Sequence, residues 1–113
     1  MLEQYGINVA TGTARFSGNT ALYHKYLKRF PEDENFNKLT AALETSDAEA
    51  AYHAAHTIKG VAGNLSVDSV FEASLPLNEA LKAGDIARGR ELYIEFKALY
   101  DRACEGIKKF FGM

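Results

Sequence analysis

His56 and Lys59 stand three residues apart in the stretch His56-Thr57-Ile58-Lys59-Gly60-Val61-Ala62-Gly63-Asn64-Leu65-Ser66, which also holds two glycines. An imidazole can attack an electrophilic phosphorus through its unprotonated ring nitrogen. A lysine one helical turn away brings a mobile positive charge that can neutralise phosphoryl oxygens. Each glycine inside a helix costs about 1 kcal/mol against alanine. That cost leaves open space beside His56, through which a second protein can bring its own reactive group. No other group in the segment could cut a phosphoester or bind Mg²⁺, so the partner must complete the chemistry.

The helix that carries these residues should run from about 47 to 64. At about 100° per residue, Ala51, Ala55, Ile58, Ala62 and Leu65 fall on one arc of under about 90°. That arc is the core face, and its small residues let neighbouring helices come close. His56 points about 140° away from its centre. Tyr52, Lys59, Gly60 and Gly63 share the side of His56, at helical spacing from it. His56 is therefore expected to be exposed on an anchored helix. The plainer readings are that Tyr52 covers the rim of the core, that a His–Lys pair is incidental, and that the glycines serve close helix packing. The position of both glycines off the apolar arc argues against the last.

The rest of the chain must position this helix. Its 113 residues are enough for one domain, 1–113, and 47% are hydrophobic. The net charge of −2 offers no basic footprint for nucleic acid. The single cysteine, Cys104, cannot form an internal disulfide, which fits a reducing compartment. No apolar run reaches the ~20 residues of a membrane span, and the first residues lack a secretory signal. A soluble cytoplasmic monomer is expected.

Helical punctuation recurs along the sequence. A turn or two is expected from Val9 to Phe16. Asn19 should cap a helix carrying Leu22, Tyr23, Tyr26, Leu27 and Phe30. Pro31 ends that helix or bends it into the next, where Phe36, Leu39 and Leu43 continue at helical spacing. Ser46 and Glu49 form a capping box for the His56 helix. Ser66 or Asp68 starts another helix, with Val70, Phe71, Leu77 and Leu81 inward and an internal Pro76 that should kink it. Gly84-Asp85 gives a stop and a new cap. A last helix from about 86 to 111 should turn Leu92, Phe96, Leu99, Ala103, Ile107 and Phe110 inward. No segment alternates with the period of a strand. Four substantial helices on short connections predict an all-α, up-and-down antiparallel four-helix bundle with a short N-terminal helical segment.

Ala55-His56-Thr57-Ile58-Lys59-Gly60-Val61-Ala62-Gly63-Asn64-Leu65 resembles the signature of histidine-containing phosphotransfer (HPt) domains. That signature is a His, a hydrophobic residue two on, then Lys-Gly, a small residue and a Leu. The resemblance extends through Gly6-Ile7, Gly12, Arg15-Phe16, Tyr23, Leu27-Lys28-Arg29-Phe30, Phe36, Leu39, Leu43 and Asp47 before the motif. After the motif it takes in Leu81-Lys82-Ala83-Gly84-Asp85. It implies a helical bundle in which His56 is the phosphoacceptor and Lys59 assists the phosphate. It further implies that Gly60 is the clearance for an incoming receiver domain; Gly63 and Tyr52, on the same side of the helix by their spacing, are expected on the docking face with it. Two departures stand out. Ser66 occupies a position that is commonly Gly, where it is expected to cap the next helix, and Pro76 is unusual in its helix.

The function implied is relay of a phosphoryl group between aspartates of receiver domains. The partners would be response-regulator receivers and a hybrid histidine kinase. The chain would hold no cofactor of its own, with Mg²⁺ on the receiver, and no GxxxxGK[ST] stretch offers an ATP site. Two alternatives stay open. One is an adaptor that binds receivers without relaying phosphate, against which the intact His56, Lys59 and Gly60 argue. The other is a metal-binding bundle using His53, His56 and His24, against which the outward direction of His56 argues.

Overall fold

The computed structural model describes residues 1–113. The chain is all-helical: α1 (Val9–Arg15), α2 (Thr20–Arg29), α3 (Glu34–Glu44), α4 (Ala48–Asn64), α5 (Asp68–Lys82) and α6 (Ile86–Phe111), with short 3-10 turns at Leu2–Tyr5 and Phe30–Glu32. The first arm is two helices. Pro31 sits in the 3-10 turn, and Asp33 is extended and caps α3, its carboxylate accepting from the Asn35 N–H at 2.8 Å. Asn8, Asn19 and Asp85 cap α1, α2 and α6 in the same way. Gly84, with φ of 78°, breaks the chain between α5 and α6.

Helix α4 lies between α3 and α5, and α5 also packs on α6. The core is continuous through all of them, with Tyr23, Leu27, Leu39, Ile58, Leu77, Phe96 and Ile107 buried. An aromatic cluster joins the α2–α3 corner to α6. Phe36 stacks on Tyr100 at 4.2 Å between ring centres, and the Tyr100 hydroxyl donates to the Phe30 carbonyl at 3.1 Å.

Three expectations change. The cap of α4 is Asp47, whose carboxylate accepts from the Ala50 N–H at 3.0 Å. Ser46 is instead left-handed, with φ of 57°, and its hydroxyl accepts from Arg90 of α6 at 2.6 Å. The capping box is thus replaced by a bond between helices distant in sequence. Ser66 likewise does not cap α5. It is buried, with φ of 55°, a conformation in which glycine is at ease and other residues are not. In the inner stripe of α6, Tyr100 is buried, Leu99 is half-buried and Phe110 is exposed, its ring 5.8 Å from His24. Helix α5 runs unbroken through Pro76, which is exposed.

The N-terminal segment explains how Ser66 is held. Its carbonyl accepts from the Asn8 N–H at 2.8 Å, and its hydroxyl accepts from Thr11 at 2.9 Å. The Tyr23 hydroxyl donates to the neighbouring Leu65 carbonyl at 2.8 Å. Helix α5 begins without a side-chain cap, and its Ser69 N–H donates to the Gly6 carbonyl at 3.1 Å. A free N–H at a helix start needs such an acceptor. Residues 6–11 therefore clamp the turn that ends the His56 helix.

Candidate functional site

Ala51, Ala54, Ala55, Ile58 and Ala62 are buried on α4, and Leu65 follows them into the core. This anchors one face of the helix, as the spacing of its apolar residues requires. His56 is exposed on the other face. Its ring stacks on Tyr52, one turn earlier, with centres 5.7 Å apart and planes inclined by 30°. Tyr52 is half-buried and packs against the core, so it steadies one side of the imidazole.

Lys59 is half-buried and belongs to none of the five ion pairs of the chain, which use the N-terminus, His53, Arg88, Lys97 and Lys109. Its ammonium is not committed to a carboxylate. Gly60 is exposed, and a Cβ added there would meet nothing within 4 Å. Gly63 differs. A Cβ added to it would lie 3.2 Å from ring carbons of Phe71 on α5. The glycine at 63 thus permits close packing of α4 on α5, and of the two glycines only Gly60 has room for a side chain without meeting a neighbour. The two glycines lie roughly 60° apart about α4, with Gly63 against Phe71 and Gly60 clear of it.

Helix α5 supports the same turn from behind. The buried Asn78 amide donates to the carbonyl of Ala55, the residue before His56, at 3.3 Å, and to Ser74 at 2.8 Å. A hollow of about 660 Å³ next to Lys59 and Gly60 is completed by Arg15 of α1, with Asp68 and Glu72 on its α5 wall. Sequence reasoning gave Arg15 no part in the site. Its arrival depends on how α1 folds back over the end of α4, for which the sequence holds no local signal.

The three histidines do not converge. His24 packs edge-on against Phe111 at 5.1 Å, and His53 faces Glu49 at 3.9 Å along α4. No three His, Cys, Asp or Glu side chains come together to hold a metal ion. No helix is long and apolar enough to cross a membrane.

What the arrangement offers is an exposed nucleophilic ring on a rigid helix, an uncommitted cation one turn away, and clear space on one side. The family model of the Hpt domain matches residues 26–106, which include His56, Lys59 and Gly60. None of the curated proteins and none of the solved structures compared with the chain matches it. With well over half of its length matched, the chain belongs to the Hpt domain family, the histidine-containing phosphotransfer domains.

Proposed function

We propose that this chain carries a phosphoryl group on His56 between aspartates of receiver domains in a phosphorelay. The observation that supports it best is the pairing of an exposed His56 with the unobstructed Gly60 on a helix whose other face is buried. In the forward step one ring nitrogen of His56 attacks the phosphorus of an aspartyl phosphate. The N–P bond forms as the acyl P–O bond breaks, and the receiver's carboxylate leaves. The proton on the other ring nitrogen is free to exchange with water. The reverse chemistry on a second receiver returns the group to a carboxylate oxygen.

Lys59 offsets charge on the phosphoryl oxygens, and the absence of an ion-pair partner supports this role. Gly60 gives the receiver its line of approach. Tyr52 limits the motion of the ring it stacks on. Mg²⁺ and the acidic residues that bind it belong to the receiver. The domain is a carrier, and its rate depends on the partner's catalytic groups. A hybrid histidine kinase and a response regulator are the partners such a carrier connects.

We read α3, α4, α5 and α6 as an up-and-down four-helix unit, with α2 extending its first arm. Their sequential packing and short connections support this. We propose that the relay acts as a monomer in the cytoplasm; the free thiol of Cys104 supports a reducing compartment. The test is incubation with a receiver carrying radiolabelled aspartyl phosphate. Label should move to this chain and then to a second, unlabelled receiver. Binding of the receiver with no label transferred would leave an adaptor in place of a relay.

A further inference from the structure

A second hollow, of about 540 Å³, opens beside α4 on the flank away from α5. Its floor is apolar, from Phe16, Phe30, Val61 and Leu65, and its rim carries Arg15 and Arg29. Phe16 lies 5.8 Å from the Tyr26 ring, over which the Arg29 guanidinium stands at 5.3 Å. Neither arginine is in an ion pair. The one carboxylate on the rim, Asp33, is engaged at the start of α3, where it accepts from the Asn35 N–H and side-chain amide, each at 2.8 Å. The hollow is thus apolar at its base and positive at its mouth.

Two features tie it to the His56 face. Arg15 and Asn64 line both this hollow and the one beside Lys59 and Gly60. Val61 and Asn64 lie five and eight residues beyond His56, which at about 1.5 Å per residue is roughly 7–12 Å along the helix. A protein partner that covers about 800 Å² of surface spans a disc of roughly 16 Å radius. A receiver centred on His56 therefore reaches the hollow.

Resting on the relay reading, we propose that this hollow is the subsite that selects the receiver. It seats an apolar side chain of the docking receiver, with an adjacent carboxylate of that receiver between Arg15 and Arg29. Arg15 and Phe16 precede residue 26, where the match to the family model begins. Charge at the rim of an interface governs encounter and choice of partner more than the chemical step.

The experiment titrates receiver domains from the same genome, each charged with acetyl phosphate, against the full chain, and reads the initial rate of labelling at His56. For the preferred receiver, Arg15→Glu/Arg29→Glu should raise the half-saturating concentration about tenfold or more, with the rate at saturation within about twofold of wild type. Arg15→Gln/Arg29→Gln should shift it in the same direction by a smaller factor. Arg88→Glu, which changes the charge on α6 by as much as the two glutamines change it at the rim, should shift neither value. An unchanged half-saturating concentration in the doubly substituted chains, with His56 still labelled, overturns the subsite and leaves the relay intact. A loss of rate at saturation alone also overturns it, because the arginines would then act on the chemical step. Failure of every receiver to label wild-type His56 overturns the relay reading and the subsite with it.

Discussion

Gly63 of α4 and Phe71 of α5 are in contact: a methyl group added at 63 would press into the ring at 3.2 Å, while three residues earlier Gly60 meets nothing. The two glycines of one motif thus predict opposite results. Gly60→Ala should stabilise the domain by up to about 1 kcal/mol through helix propensity. Gly63→Leu should cost about 1–3 kcal/mol, because the larger side chain must displace Phe71. Urea unfolding of both variants checks this. Gly60→Gln should remain folded and lose most of its transfer, since the added side chain fills the approach to His56.

Lys59 should matter for transfer and little for folding. It has no ion-pair partner to lose, and its side chain is only half-buried. Lys59→Ala should slow labelling by about tenfold or more, in line with loss of a charge-assisted contact. Stability should change by less than about 0.5 kcal/mol. A melting curve and a transfer time course on the same preparation separate the two effects.

Much of this site was legible in the sequence because it is local. The alanine stripe of α4 and the outward direction of His56 follow from spacing along a single helix. Asn19 and Asp85 declared themselves as caps because each bonds an N–H three residues away. The misread positions are those decided by partners far along the chain. Ser46 looked like a cap, but Arg90 takes its hydroxyl. Ser66 looked like a cap, but Asn8 and Thr11 hold it in a left-handed turn. Gly63 looked like clearance until α5 placed Phe71 over it. Tyr100 carries a polar group, and the distant Phe30 carbonyl that accepts its hydroxyl makes its burial tolerable.

The clamp on the α4–α5 turn predicts an alkaline limit to stability. Burial pushes the Tyr23 hydroxyl up to about 12, from an ordinary value of 10.0. Burial also raises Tyr100, and brings the Cys104 thiol to about 11. Each group holds its proton more tightly in the folded chain. Their contribution is fully present below the ordinary values and is lost as pH rises through the folded ones. Stability should therefore decline from about pH 9 upward. Tyr23→Phe removes the bond to Leu65 and should cost about 0.5–1.5 kcal/mol at pH 8. The gap between Tyr23→Phe and wild type should narrow by pH 11.5, where the wild-type phenol begins to pay its own ionisation cost. Urea melts at the two pH values measure it.

The most direct measurement concerns His56 itself. The chain, labelled by a phosphorylated receiver, is divided between acid and alkali, and His56→Gln is treated in parallel. A phosphoramidate on His56 predicts label that is lost in acid, survives alkali and is absent from His56→Gln. Label that survives acid, or that appears undiminished on a folded His56→Gln chain, would contradict the assignment of His56 as the phosphoryl carrier.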